Sequence, residues 1–255
     1  MTITDVEGFL ASGVASGIKN NKELDLALIT TEDQQPVPAA AVFTSNKMTA
    51  APVLISRKHL EVTGGAASAV VLNSGNANAA TGEQGLQDAE MMCQLTAQGL
   101  GCESSDVLVC STGWIGYPLP MEEVTYGIKS AIDSLKDDQG TTAAKAIMTT
   151  DTVPKNTLIK AKGFSVGGIS KGAAMLQPNM ATMLSVLTTD AVINPQEATR
   201  LLQKAVSVSF NCLTVDGAES TNDTVILLAN GKSGVEDPTL LGEALIEACK
   251  DLAVQ

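Results

Sequence analysis

Two periodicities of apolar residues divide the chain into short strands and longer helices. Alternating or continuous apolar runs rich in Val, Ile, Leu and Ala predict strands, and apolar residues that recur every three or four positions predict helices. The predicted strands cover residues 24–30, 38–43, 67–72, 107–110, 156–162, 164–169, 182–189, 213–215 and 225–229. The predicted helices cover residues 51–60, 81–100, 121–135, 141–148 and 239–253, and one more begins at residue 195.

The order of these elements predicts an α/β sandwich whose interior is mixed or mostly antiparallel. The first two strands, residues 24–30 and 38–43, are expected to pair across the polar turn TEDQQP. Residues 156–162 and 164–169 are expected to form a hairpin. The chain contains no internal repeat, low-complexity tract or charged linker.

Helix boundaries follow from residue types at the ends of the periodic segments. Thr81 begins a helix with Gln84 as its capping-box partner, Gly101 ends it, and Asn194 caps the helix that starts with the next proline. The turn at residues 73–82 is rich in Gly and Asn. Its backbone N–H groups suit a phosphate or carboxylate, but it matches no nucleotide-binding fingerprint.

Composition narrows the class of protein. Of 255 residues, 44% are hydrophobic, 17% charged and 3% aromatic, which is typical of a globular domain with an aliphatic core. A net charge of −12 argues against nucleic acid or an anionic membrane as a partner. The five cysteines have no metal-ligand or redox spacing and are expected to be reduced core thiols, and His59 is expected at the surface. With no signal peptide or membrane span, we expect a cytoplasmic protein that binds no metal.

A candidate nucleophile lies where the loop from Lys171 enters an apolar strand. The hydroxyl of Thr182 needs a base, and one economical base is the α-amine of the same residue. That amine exists only if the bond between Ala181 and Thr182 is cut. The pair therefore suggests self-cleavage, in which the hydroxyl attacks the Ala181 carbonyl and water hydrolyses the resulting ester.

Five stretches in the same order along the chain resemble the ornithine acetyltransferase family, the bifunctional glutamate N-acetyltransferases of arginine biosynthesis. The resemblance implies a four-layer αββα sandwich of the type also found in self-processing aminopeptidases. It also implies transfer of acetyl from N-acetylornithine to glutamate through an acetyl-threonine at Thr182, without a cofactor; acetyl-CoA is a possible co-substrate. The stretches are VVLNSGNANAATGEQG (residues 70–85), STGWIGYPLPM (111–121), AIMTTDTVPK (146–155), KGAAMLQPNMATML (171–184) and TVDGAESTNDTVILLANG (214–231).

The resemblance also assigns roles to further residues. Thr112 and Gly113 would form the oxyanion hole, which agrees with their position just beyond a buried strand. Lys171, Thr149 and Thr182 itself would contact substrate, with the neighbouring Thr150 as the alternative to Thr149. Trp114 stands where a small aliphatic residue is expected, so it either narrows the acyl pocket or packs against the protein.

The resemblance implies two chains, residues 1–181 (α) and 182–255 (the start of β), that assemble as a heterotetramer in the complete protein. The sequence ends after KDLAVQ, before the segment in which the family has further substrate contacts. A fragment or a truncated form is therefore expected. Two other functions stay open: a related self-processing peptidase with an N-terminal nucleophile, and a catalytically dead fragment that binds an amino acid.

Overall fold

The computed structural model describes residues 1–173, 183–214 and 220–255. Within these ranges, strands and helices build two stacked sheets with helices on both outer faces. The strands are β1 (Phe9–Val14), β2 (Leu26–Thr31), β3 (Val37–Phe43), β4 (Ala66–Ala67), β5 (Ala69–Asn76), β6 (Val107–Trp114), β7 (Lys155–Lys160), β8 (Ser165–Lys171), β9 (Leu184–Thr189) and β10 (Thr224–Ala229). The α-helices are α1 (Ala51–Val62), α2 (Gly82–Leu100), α3 (Met121–Asp133), α4 (Gly140–Ala146), α5 (Pro195–Ser207) and α6 (Pro238–Val254).

Both sheets are mixed. One has the order β1-β2-β5-β6, and the other has the order β4-β3-β10-β9-β8-β7. The pairs β5–β6 and β9–β10 are parallel, and the remaining pairs are antiparallel. The predicted hairpin of residues 156–162 and 164–169 is confirmed as β7 and β8.

Apolar side chains hold the four layers together. Helices α1, α2 and α3 cover the four-stranded sheet, and α5 and α6 cover the six-stranded sheet. The predicted four-layer αββα sandwich is confirmed. Burial of aliphatic surface between the sheets is the main stabilising contribution, because each fully buried Leu or Ile contributes roughly 2 kcal/mol. The layer between the sheets includes Phe9, Ala27, Ile29, Leu72, Leu108, Ile169, Leu184, Val186, Ile226 and Leu228.

The predicted pairing of residues 24–30 with 38–43 is wrong. The corresponding strands, β2 and β3, lie in different sheets, and the polar turn between them crosses from one sheet to the other. All six residues of β2 are buried because it is a central strand, paired with β1 and β5. The strand predicted at residues 213–215 is also wrong at 213 and 214, which are irregular and follow a 3-10 turn at Phe210–Cys212.

Two of the three predicted helix signals are confirmed. The side chain of Asn194 accepts a hydrogen bond from the N–H of Glu197 at 2.9 Å, and Gly101 ends α2 in the left-handed conformation with φ of +77°. The capping box at Thr81 is wrong. Its hydroxyl donates to the side chain of Asn78 instead, at 2.7 Å, so the turn before α2 is stabilised from within.

The prediction of a surface position for His59 is wrong. Its ring is buried between α1, α2 and β6, where Nδ1 lies 2.8 Å from the carbonyl of Val107 and Nε2 lies 3.3 Å from a carboxylate oxygen of Glu90. Cys93, Cys110 and Cys249 are buried free thiols as predicted, whereas the prediction of a core position is wrong for the exposed Cys212 and the partly buried Cys102. None of the helices in the described part of the chain combines the length and apolar character needed to cross a membrane.

Candidate active site

Four of the residues predicted for the site line one cleft of about 650 Å³. It opens where β6 and β8, from the two different sheets, end side by side. The other two predicted residues, Ala181 and Thr182, lie outside the described residues. The cleft is lined by Lys19, Glu23, Gly75, Thr112, Gly113, Trp114, Ile115, Thr149, Thr150 and Lys171.

The two sheets are joined at this cleft by the side chains of Thr112 and Lys171. The Nζ of Lys171, the last residue of β8, donates a hydrogen bond of 3.1 Å to Oγ1 of Thr112 on β6. Both residues are buried, with 2% of Lys171 and 4% of Thr112 exposed. The lysine is therefore a component of the cleft wall rather than a solvated loop residue.

The environment of Lys171 weakens its hold on its proton. Burial lowers the pKa of Lys171 from 10.5 to about 8, although the carboxylates of Asp151 and Asp223 favour the charged form. The cost of removing the ammonium from water is larger than the stabilisation that the two carboxylates provide, so the net effect is a lower pKa. Lys171 is mostly protonated at neutral pH and titrates in the mildly alkaline range.

Gly113 occupies a backbone conformation and a space that suit glycine. Its φ is +135°, and a Cβ at this position would lie 2.3 Å from the carbonyl carbon of Gly75. The close approach coincides with a bulge in the β5–β6 pairing at Gly75 and Asn76. Thr112 and Gly113 stay paired with Ser74 and Gly75 of β5 beside this bulge, and both line the cleft.

A buried carboxylate organises the other wall of the cleft. Asp151 accepts hydrogen bonds from the N–H of Thr149 at 3.1 Å, from the N–H of Gly172 at 2.7 Å, and from the ammonium of Lys155. Burial opposes ionisation of Asp151, but these donors outweigh it and lower its pKa. The carboxylate thereby fixes the backbone beside both Thr149 and Lys171.

The strand that follows the predicted nucleophile is anchored next to Lys171. The N–H of Met183 donates to Oδ1 of the fully buried Asp223 at 2.9 Å, and the N–H of Thr224 donates to the carbonyl of Met183 at 3.1 Å. In the β8–β9 register, Lys171 pairs with Leu184. The described chain therefore resumes at Met183, one strand away from Lys171 in the cleft wall.

A second lysine approaches the cleft from the β1–β2 loop. Buried Asp25 accepts four hydrogen bonds from this loop, including one from the N–H of Lys19 at 2.9 Å. The ammonium of Lys19 then donates to the carbonyls of Leu24 and Met148 at 3.1 and 2.8 Å. Half-burial lowers the pKa of Lys19.

Trp114 projects from the end of β6 with 76% of its surface exposed. It lines the cleft, so it does not pack into the core. In the loop after β5, which the sequence suggested for anion binding, side chains of the loop itself bond to its backbone. The side-chain oxygen of Asn76 accepts from the backbone N–H of Asn78 at 2.8 Å, and the side-chain amide of Asn78 donates to the carbonyl of Gly85 at 2.8 Å.

Sequence reasoning missed four buried polar residues around the cleft: Asp151, Lys155, Asn222 and Asp223. A signal for the first two was present, because an Asp and a Lys four residues apart flank a Pro in the stretch TTDTVPK. Asn222 and Asp223 precede the buried strand β10 without any local mark of their role. Among the described residues, no group of three or more His, Cys, Asp or Glu side chains is arranged to hold a metal ion.

Comparison with known proteins first defines the class of fold. The structure matches that of an L-aminopeptidase D-Ala-esterase/amidase from Ochrobactrum anthropi, a variant of the Ntn hydrolase fold, with a TM-score of 0.60 over 99% of this chain and 84% of that chain. At 14% identity the match shows the fold alone. The αββα sandwich with a cleft at the junction of its sheets is thus an Ntn-hydrolase-type architecture.

Closer relatives identify the family within this fold class. Residues 10–255 match the model of the ArgJ family, and the chain belongs to that family. It is 46% identical over 256 residues to the arginine biosynthesis bifunctional protein ArgJ of Thermobifida fusca, covering 100% of this chain and 66% of that protein. A structure described as ornithine acetyltransferase from Mycobacterium tuberculosis in complex with ornithine matches with 37% identity and a TM-score of 0.63, covering 72% of this chain and 96% of that chain. The chain thus spans 66% of the length of the Thermobifida relative.

Proposed function

We propose that the complete protein containing this chain transfers the acetyl group of N-acetylornithine to glutamate. Thr182 would be the nucleophile, freed by self-cleavage between Ala181 and Thr182. Membership of the ArgJ family and the likeness to an ornithine acetyltransferase that binds ornithine support this substrate class.

The observation that carries the proposal is the convergence of Thr112, Gly113, Thr149 and Lys171 on one cleft. These residues come from three separate stretches of the chain. Acyl transfer needs donors aimed at a developing oxyanion, and a threonine hydroxyl beside a glycine N–H supplies two. An ammonium in the wall suits a substrate that carries a carboxylate.

The cleavage step would convert the Ala181–Thr182 amide into an ester. The Thr182 hydroxyl attacks the Ala181 carbonyl, the C–N bond breaks as the C–O bond forms, and water then hydrolyses the ester. The products are a carboxylate on Ala181 and a free α-amine on Thr182. The anchoring of Met183 by Asp223 supports this step, because it fixes the chain directly after the bond to be cut.

Acetyl transfer would then run in two half-reactions. The Thr182 hydroxyl attacks the acetyl carbonyl of N-acetylornithine, while its proton passes through the α-amine of Thr182 to the departing amine of ornithine. The α-amine of glutamate attacks the acetyl ester, a C–N bond forms, and the Thr182 hydroxyl is restored. One product leaves before the second substrate reacts, so the kinetics should be ping-pong.

The lengths of the matched chains support cleavage. The Mycobacterium chain is covered to 96% by a match that uses 72% of this chain, or about 184 of its 255 residues. That length is close to the 181 residues that precede Thr182 in this sequence. A relative's chain of about that length fits a protein that is cut before Thr182.

The test is Thr182→Ala in the complete protein, with Thr199→Ala on α5 as the matched control. We expect the wild type and the control to give two fragments on a denaturing gel, with a new terminus beginning TMLSV, and to convert N-acetylornithine and glutamate into ornithine and N-acetylglutamate. The Thr182→Ala protein should remain one chain and should not turn over. A cut that persists in Thr182→Ala would contradict the proposal.

Two further measurements complete the proposal. The cleaved halves are expected to stay together as a heterotetramer, which native mass determination tests against the sum of two copies of each half. Because the relatives are named bifunctional, acetyl-CoA is tested as a second acetyl donor to glutamate. Formation of N-acetylglutamate from acetyl-CoA alone would assign the second activity to this protein.

A further inference from the structure

The hydrogen bond between Lys171 and Thr112 has a fixed direction. An ammonium has three hydrogens to donate and no lone pair to accept with. The Oγ1 of Thr112, 3.1 Å from Nζ of Lys171, is therefore the acceptor. The single hydrogen of the Thr112 hydroxyl must point away from Lys171.

The surroundings of Thr112 limit the directions in which its hydroxyl hydrogen can point. Its residue is 4% exposed, and it lines the cleft together with Gly113. Within the described part of the chain, its hydroxyl has no hydrogen-bond partner other than Lys171. A substrate in the cleft can therefore accept a hydrogen bond from the Thr112 hydroxyl.

We propose that Lys171 is a positioning residue that orients the Thr112 hydroxyl, so that its hydrogen is aimed into the cleft before the oxyanion forms. This inference rests on the proposed acetyl transfer and gives Lys171 a task beyond contact with the substrate carboxylate. The ammonium also draws electron density from Oγ1, which strengthens Thr112 as a donor. A donor that is already aimed costs no reorganisation when charge develops on the substrate.

Loss of the Lys171 proton should reverse the hydrogen bond. A neutral amine has a lone pair, so it accepts from the Thr112 hydroxyl and turns the hydrogen away from the cleft. Among the described residues, the charged groups that act on Lys171 are Asp151, Asp223, Lys155 and Lys19. Burial outweighs the two carboxylates and lowers the pKa of Lys171 to about 8. Acetyl transfer should therefore decline as the pH rises through about 8.

The test is a double-mutant cycle in the complete protein with Lys171→Met, Thr112→Val and the double variant. Loss of one oxyanion donor typically lowers kcat by roughly 100-fold or more. We expect Lys171→Met to lower kcat strongly when Thr112 is present. In the Thr112→Val background, the same substitution should have almost no further effect on kcat. Thr112→Ser keeps the hydroxyl, so it should keep its dependence on Lys171.

A role confined to binding the substrate carboxylate gives a different result. Lys171→Met would then raise KM equally in the wild type and in Thr112→Val, and the two losses would multiply. That outcome overturns the inference while leaving the proposed function intact. Absence of acetyl transfer in the wild type would overturn both.

The pH profile provides a second measurement that does not require the Lys171→Met protein to fold. The alkaline decline of kcat near pH 8 should be present in the wild type and in Thr112→Ser, and absent from the residual activity of Thr112→Val. An unchanged alkaline limb in Thr112→Val would refute the orienting role of Lys171.

Discussion

The side-chain amide of Asn222 donates a hydrogen bond of 2.9 Å to the carbonyl oxygen of Ser111, the residue that precedes Thr112. The same amide nitrogen donates to the carbonyl of Ala77 at 2.6 Å. Asn222 immediately precedes the pair Asp223 and Thr224, so one buried side chain connects the start of β10 with the ends of β5 and β6. It fixes the peptide that carries the predicted oxyanion donors.

We predict that Asn222→Ala lowers both stability and activity. Two buried carbonyls lose their donor, and each unsatisfied group costs about 1–3 kcal/mol, so the free energy of unfolding should fall by about 2–6 kcal/mol. The freed peptide at Ser111 should also lower kcat with little change in KM. Urea unfolding and steady-state kinetics on the complete protein measure both effects.

The matched control is Asn230→Ala. The side-chain amide of Asn230 also donates to a backbone carbonyl, that of Glu7, at 2.7 Å, but it lies near the surface and outside the cleft. We expect a loss of less than about 1 kcal/mol and an unchanged kcat. Equal losses of kcat in the two variants would show that Asn222 has no special connection with the site.

A second prediction concerns Gly113→Ala. The new Cβ would meet the backbone of Gly75 at 2.3 Å, and backbone cannot move aside as a flexible side chain can. We expect a loss of more than about 3 kcal/mol or failure to fold. Gly116→Ala is the control, because Gly116 also has a positive φ, +84°, but no atom within 4 Å of the new Cβ. It should lose only about 1 kcal/mol, and similar melting temperatures for the two variants would contradict the steric argument.

Local sequence patterns predicted the helices and the β7–β8 hairpin because these elements depend on neighbours in the sequence. The separation of β2 and β3 into different sheets could not be predicted in this way. Both strands are apolar, and only long-range contacts decide which sheet each one joins. Strand β1 escaped prediction because its sequence, FLASGV, contains Ser and Gly in place of a strong β pattern.

The candidate site shows the same division. Thr112, Gly113, Thr149 and Lys171 were assigned from motifs, and the structure brings all four to one cleft. Their roles stay predictions. The buried Asp151 and Asn222 were missed, because a polar residue in a loop shows its importance only when tertiary contacts bury it and give it partners. The surface position predicted for His59 was wrong for the same reason, since its partners come from α2 and β6.

A third prediction follows from the buried position of His59. In His59→Ala, the carbonyl of Val107 loses its ring partner and a cavity forms between α1 and β6. We expect a loss of about 2–4 kcal/mol with unchanged kcat, measured by urea unfolding and acetyl transfer. Lys58→Ala is the control, because Lys58 also reaches Glu90, at 3.4 Å, from an exposed position and should cost less than about 0.5 kcal/mol. A small loss for both variants would contradict a structural role for the ring.

The final prediction concerns the pH dependence of stability. The pKa of Lys171 is about 8 in the folded protein, where the side chain is buried, and 10.5 where it is not buried. Between these values the unfolded chain holds the proton that the folded protein has released, so the unfolding free energy from this group rises with pH. Below pH 8 both states are protonated and the folded state carries the full cost of a buried ammonium. The difference between the two pKa values corresponds to an increase in the free energy of unfolding on the order of 3 kcal/mol between pH 8 and 10.5.

Lys171→Met removes this titration while keeping an apolar stem of similar length. Relative to Lys171→Met, the wild type should therefore become more stable as the pH is raised from 8 to 10.5, by on the order of 3 kcal/mol in urea unfolding. Taking the difference cancels groups that titrate alike in both proteins, including the buried Cys110 and Cys249. Lys162→Met, at an exposed lysine, controls for loss of one charge and should change stability by less than about 0.5 kcal/mol. A difference that stays constant over this range, or falls, would show that Lys171 is not held in the environment that lowers its pKa, and the alkaline reversal of its bond to Thr112 would lose its physical basis.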